Sequence, residues 1–203
     1  MKTAAALAQK GRPREFDLDR ALSAALRIFW QKGYEGASLS DLTEVMGITR
    51  PSLYAAFGNK ETLFRKALDL YERDKLAYIE AALTAPTVRG VAERMLQGAI
   101  DLMTTGCDPN GCFGVVATVA CSEYCETIKA DVLARRISST AAMIRRFERG
   151  RDEGDLADHV DPAGLALHLI ALMEGMAVQS GGGASRQELE RLVETSLQFW
   201  PSR

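Results

Sequence analysis

The sequence predicts an all-α protein, and three observations carry that expectation. Apolar residues recur at helical spacing along almost all of the 203 residues. Alternation of period two is not sustained anywhere; Val115–Val119 comes nearest, and helix-like sequence flanks it. Gly, Pro and the small capping residues fall between the apolar runs, where helices stop and start. The elements divide into a three-helix N-terminal unit, residues 1–60, and a helical body, residues 61–203.

The first helix is expected from Leu18 to Lys32, with Asp17 as its cap and Leu18, Ala21, Leu22, Ala25 and Phe29 on one apolar face. Gly33 can take the positive φ that ends it. A short helix follows over Leu39–Met46, opened by Ser38 and Asp41 at capping-box spacing and stopped by Gly47. Thr49 caps the third helix, Pro51 sits in its first turn, and Phe57-Gly58 closes it. From Asn59 one long helix is expected to run to Leu83, then Pro86 breaks the chain before a helix over Val88–Thr104. Asp108-Pro109-Asn110 marks a turn. Further helices are expected over Phe113–Ser122, Glu126–Gly150 and Pro162–Gln179, and after a Gly181-Gly182-Gly183 link a last one opens on the Ser185/Glu188 capping box and ends at Trp200-Pro201.

Composition narrows the function classes. At 47% apolar and 26% charged the chain can bury a sizeable core. No stretch approaches the roughly 18 apolar residues of a membrane span. The first ten residues read as a short arm and not a signal peptide, so the expected compartment is the cytoplasm. Residues 1–66 hold 11 Lys/Arg against 7 Asp/Glu, and residues 67–203 hold 14 against 20. A basic head on an acidic body points the head toward a polyanion, although chance asymmetry would give the same count.

Residues 38–57 carry the chemistry. A short helix, a glycine turn and a second short helix form the helix-turn-helix layout, in which the second helix enters the major groove of DNA. Leu42, Val45, Ile48 and Leu53 are expected to pack the pair together. Arg50 can donate two parallel bonds to a guanine edge. Ser52 can meet a base or a phosphate. Pro51 and the Tyr54 ring can touch a thymine methyl, and the Tyr54 hydroxyl can reach phosphate. Lys60 lies beside a helix start and suits phosphate. Ser38 and Thr49 bring helix N-termini to the backbone. Arg12 and Arg14 sit on an arm that can add backbone or minor-groove contacts. On spacing alone, an ordinary helical hairpin with a solvated Arg and Lys would read the same way.

The pattern Gly11-Arg12-Pro13-Arg14, then Ala24-Ala25-Leu26-x-x-Phe29-x-x-x-Gly33-Tyr34-x-Gly36-x-Ser38, then Leu42-x-x-x-Met46-Gly47-Ile48-x-x-x-Ser52-Leu53-Tyr54-x-x-Phe57-x-x-Lys60-x-x-Leu63 resembles the N-terminal signature of TetR-family transcriptional regulators. The match spans residues 11–71 without a gap. The resemblance implies a homodimeric repressor on a near-palindromic double-stranded operator, with an effector in the body changing the spacing of the heads. It assigns phosphate contact to Tyr54 and Lys60, and base reading to Arg50, Pro51 and Ser52. Ala55-Ala56 stands where many members carry aromatic or His residues, and Ser38 where Thr is commoner.

The body carries a dimer expectation and a sensor expectation. The 162–179 helix is apolar nearly all round and the last helix has one apolar flank. Leu165, Leu169, Leu172 and Met176 with Leu189, Leu192, Val193 and Trp200 are therefore the expected four-helix dimer interface, the alternative being an intrachain core. An apolar effector pocket is expected among Met95, Met103, Phe113, Met143, Phe147 and Met173, although a Met stripe is also ordinary core. The four cysteines fall between residues 107 and 125. Cys112 opens a helix, where a thiol can gain reactivity, with Cys107 as its resolving partner; the bland reading is a small buried residue. A Gly-Cys at this place also resembles one subgroup of the family. No metal site or cofactor is expected, because only two histidines are present and no Cys-x-x-Cys pair. An enzyme is not expected, since no positioned base pairs with a cysteine in sequence and no Gly-rich phosphate loop occurs. The remaining alternatives are a DNA-binding regulator or architectural protein without a ligand, and a Cys-dependent enzyme assembled by tertiary contacts.

Overall fold

The computed structural model describes residues 17–106, 108–119 and 126–201. Ten helices and no strand occur among them: α1 (Leu18–Gly36), α2 (Leu39–Met46), α3 (Arg50–Phe57), α4 (Lys60–Lys75), α5 (Ala77–Leu83), α6 (Val88–Thr104), α7 (Phe113–Val119), α8 (Glu126–Asp152), α9 (Pro162–Gly181) and α10 (Arg186–Gln198).

Local chemistry sets most boundaries. The Asp17 carboxylate accepts from the amides of Asp19 (3.0 Å) and Arg20 (3.3 Å) and so satisfies two orphan donors of α1. Gly33 does take positive φ (70°), but its ψ of 177° makes a kink and not a stop, and one more turn carries α1 to Gly36. The Ser38/Asp41 and Ser185/Glu188 capping boxes both form. α9 runs two residues past the expected end, through Gly181.

The long helix expected from Asn59 to Leu83 is two helices. Leu76 leaves helical geometry (φ −102°, ψ 4°) although neither Gly nor Pro is near. The cause is tertiary. α4 buries Leu63, Phe64, Ala67, Leu68 and Tyr71 against α1, whereas α5 packs on α6. The two halves serve different cores.

The first core gathers α1–α4 around Leu26, Phe29, Trp30, Leu42, Leu53 and Phe64, all buried. It does not stop at residue 60: α4 completes it, and Phe113, Ala117, Ile128 and Val132 of α7 and α8 enter it from the body. Phe113 sits 5.4 Å from the Phe64 ring and 5.5 Å from the Tyr71 ring, centroid to centroid. Edge-to-face pairs of this kind add ~0.5–1.5 kcal/mol beyond area burial. The second core lies among α6, α8, α9 and α10, built on Met95, Leu96, Ile100, Phe147, Leu169 and Leu189.

Two further expectations do not hold, one about the packing of Val45 and one about the absence of a helix of membrane-spanning length and hydropathy. Val45, expected inside the helix pair, is 43% exposed, and Ile48 with buried Leu42, Met46 and Leu53 closes the joint instead. Helix α9 proves long and apolar enough, by length and composition, to cross a membrane, with mean hydropathy 1.3 over its best window. Here one flank (Leu165, Ala166, Leu169, Met176, Ala177) enters the second core, while Leu167 (54%) and Val178 (64%) stand exposed.

Candidate nucleic-acid interface and sensor cavity

The recognition unit is built from short, capped helices. Ser38 Oγ accepts from the Asp41 amide (3.0 Å), and Asp41 accepts in return from the Ser38 amide (2.9 Å) and hydroxyl (2.7 Å). Lys32 of α1 donates to the same carboxylate at 2.7 Å. Lys32 first, then the Ser38 bonds, hold the Asp41 carboxyl well below the usual carboxylate range. Gly47 turns the chain in the left-handed conformation (φ 65°, ψ 33°), and its amide and that of Ile48 return to the carbonyls of Glu44 and Thr43, each at 3.1 Å. Thr49 Oγ1 accepts from the Ser52 amide (3.3 Å) and opens α3. Pro51 costs this helix nothing, lying where its missing N–H would be unpaired anyway.

On α3, Leu53 and Phe57 turn inward. Arg50, Pro51, Tyr54 and Ala55 face out, a spacing of i, i+1, i+4 and i+5 that lies on one side of a helix. Tyr54 is 47% exposed. The Arg50 guanidinium donates to Ser40 Oγ of α2 at 2.8 Å, which parks its charged end across the helix pair. Ser52 is half-buried, its hydroxyl 3.0 Å from that of Thr49. The Lys60 ammonium lies 4.6 Å above the Tyr34 ring at the start of α4. Ser38 and Thr49 are exposed at their helix starts. Arg12 and Arg14 lie outside the described residues. Lys32, Tyr34 and Ser40 were missed because each acts on another helix, and nothing in local spacing signals that.

The body holds a cavity of about 190 Å³ among α4–α9. Met95, Met103, Met143 and Met173 line it as expected, and Cys112 does too. Phe113 and Phe147 do not. Phe113 turns into the aromatic cluster of the head, and Phe147 packs edge-on to Trp200 with centroids 6.3 Å apart. Tyr71 and Tyr78 line the cavity unforeseen. The Tyr71 hydroxyl is 3.2 Å from the Cys112 sulfur. The rim carries charge in pairs: Arg135 with Asp69 and Glu72, both at 2.6 Å, and Arg136 with Glu174 at 3.0 Å. Cys107, Cys121 and Cys125 lie outside the described residues. Among those that are described, no cluster of three or more His, Cys, Asp or Glu could hold a metal.

The expected dimer residues are largely spent inside the chain. Leu165, Leu169, Met176, Leu189, Val193 and Trp200 are all at most 9% exposed, and Leu172 and Leu192 are half-buried. A helix that is apolar all round has two apolar flanks, and the sequence pattern does not say which one the chain keeps. On α9 the exposed apolar groups are Leu167, Ala171 and Val178, with Phe199 after α10; Leu133 and Ile137 of α8 are exposed as well.

Known proteins resemble the chain in both parts. Residues 21–67 match the family described as bacterial regulatory proteins, tetR family. The HTH-type transcriptional repressor ComR of Escherichia coli (strain K12) is 35% identical over 201 residues, covering 95% of this chain and 92% of ComR. The HTH-type transcriptional regulator YezE of Bacillus subtilis (strain 168) is 30% identical, covering 92% of this chain and 97% of YezE. Among solved structures, a cysteine mutant of the TetR family transcriptional regulator CifR, complexed with 26 bp double-strand operator DNA, is 39% identical with a TM-score of 0.88, covering 94% of this chain and 100% of that one.

Proposed function

The chain belongs to the TetR family of bacterial regulatory proteins, and from that premise we propose that it binds a near-palindromic duplex operator as a homodimer, represses transcription there, and lets go when a molecule enters the cavity. The observation that carries the reading is the exposed Arg50–Pro51–Tyr54–Ala55 face, presented on a short helix capped by Thr49 at its start and Gly58 at its end. A major groove ~12 Å wide admits one helix, and Arg there reads guanine through O6 and N7. Arg50 needs only to leave Ser40 to do so. Tyr54, Lys60, Ser38 and Thr49 supply phosphate contacts, Pro51 touches a base edge, and Ser52 acts by holding the start of α3. Arg12 and Arg14 extend the contact from the arm.

One head makes too few contacts for useful discrimination, so two must act together. The exposed flank of α9, with Phe199, is the surface that supports a second copy: a large apolar stripe left in water by one chain is covered by its symmetry mate. Signal transfer has a material basis. Tyr71 stands in the cavity wall and in the head core at once. Asp108, between α6 and α7, binds Arg27 of α1 (3.3 Å) and Lys75 of α4 (2.5 Å). A molecule that binds better when α7 shifts therefore biases the position of α1 and α4.

Selection of bound duplexes from a random pool tests the reading. Arg50→Ala should relax preference at one base position and cost ~1–3 kcal/mol, whereas Lys60→Ala should weaken all sequences alike and lower the salt slope by about one. A protein that stays monomeric and shows no preference among duplexes at moderate salt overturns it.

A second reading of the signal rests on Cys112 facing the same cavity. A soft electrophile or oxidant that enters meets its sulfur, and Cys107 is placed in sequence to resolve an oxidised product. Cys112→Ser should then abolish release of DNA by aldehydes, quinones or hypochlorite. Unchanged release leaves Cys112 as packing only.

A further inference from the structure

The cavity has a polar corner in an apolar shell, and its residues indicate what it accepts. Two rim arginines face two rim glutamates, and each is already engaged: Arg135 with Asp69 and Glu72, Arg136 with Glu174. These partly exposed rim pairs leave no unpaired charge to receive an ionic ligand, and a ligand charge carried into the apolar interior would be left unpaired, which is costly away from water. The other polar hydrogens in the lining belong to Tyr71, Tyr78 and Cys112 and to the hydroxyls of Thr118, Ser139 and Thr140, of which Thr118 donates to the Gly114 carbonyl at 2.8 Å. The Tyr71 hydroxyl is occupied with the Cys112 sulfur at 3.2 Å. Tyr78 also lies within electrostatic reach of Cys112, and its hydroxyl has no hydrogen-bond partner among the described residues. Burial first, then Cys112, pushes both phenols up, so each is a protonated donor at neutral pH.

The placement of Tyr78 is fixed by a missing side chain. A Cβ on Gly98 of α6 would come within 2.2 Å of the Tyr78 ring, so α5 can lay that ring on α6 only because residue 98 is glycine. Any other residue would force the ring, and the hydroxyl it carries, out of place.

Resting on the effector reading above, we propose that the cavity selects an uncharged, mainly apolar molecule with one hydrogen-bond acceptor, and that Tyr78 is the residue that recognises that acceptor. Gly98 is the positioning residue that holds it ready. A carbonyl or ether oxygen fits this chemistry. A carboxylate or an ammonium does not.

The test uses four probes of similar shape on the full-length protein, followed by calorimetry: benzylacetone (neutral, one carbonyl), butylbenzene (neutral, no acceptor), hydrocinnamate (anion) and phenylpropylammonium (cation). Benzylacetone should bind at least about tenfold more tightly than either ion, and about fivefold more tightly than butylbenzene, one net hydrogen bond being worth that much. Tyr78→Phe should erase the margin over butylbenzene while leaving butylbenzene binding unchanged, a split that general loosening of the fold would not produce. Gly98→Ala should erase the same margin with the phenol still present. Ions that bind as tightly as the ketone, a margin that survives Tyr78→Phe, or no ketone binding at millimolar concentration each overturn the proposal. Operator selection is scored separately. Sequence-specific DNA binding without the ketone preference sinks this inference alone, and ketone preference without DNA binding sinks the regulator reading instead.

Discussion

The head and the body bury apolar residues equally well but make their working surfaces in opposite ways. The head's surface is convex and polar, four side chains on eight residues of helix, each placed by caps a few residues away. The body's is concave and apolar, a cavity to which six helices contribute and whose polar groups come from α4, α5, α7, α8 and α9 and from Cys112. A convex site can be specified locally, since a rigid short helix fixes every outward side chain at once. A cavity is what remains between elements, and it changes when any of them shifts. The difference suits one part to recognition that does not vary and the other to response.

The sharpest way to break that division is at the residue that crosses it. Phe113 belongs to the body in sequence and to the head in packing. Phe113→Ala should cost ~3–5 kcal/mol in urea unfolding. A cost under about 1 kcal/mol would mean that the head's core is self-sufficient.

Next in size is the dimer. Leu167→Asp with Val178→Asp should yield monomers in sedimentation and weaken operator binding by about a hundredfold, the avidity of the second head being lost. Both side chains are exposed in the single chain, so each monomer should remain folded. A dimer that persists moves the interface elsewhere.

A smaller effect tests local specification in the head. Ser38→Ala should cost ~1 kcal/mol, and Gly47→Ala a similar amount because alanine resists φ near +65°. If either is neutral by thermal melting, the caps do not fix the recognition helix.

The smallest effect is one of pH. The folded-state pKa of Asp41 lies below its unfolded value, so its contribution is present at neutral pH and is lost as pH falls below the ordinary carboxylate range. Because the carboxylate is at the surface, salt should reduce the effect. The stability gap between the wild type and Asp41→Asn should close on acidification. A gap that stays constant would assign the role of Asp41 to neutral hydrogen bonding.

Residue types and spacing alone determined the all-helical class, the caps at Asp17, Ser38, Thr49 and Ser185, the Gly47 turn and the outward face of α3. All of these depend on hydrogen bonds spanning two to four residues, which the chain makes wherever it goes. Tertiary structure alone decided that the helix after Asn59 breaks at Leu76, that Val45 stays outside while Phe113 crosses into the head, that Arg50 rests on Ser40, and that α9 gives Leu169 to its own core and leaves Val178 exposed. Each of these turns on which of two apolar or polar partners, tens of residues away, comes within ~4 Å, and periodicity shows that a face must be covered without naming what covers it.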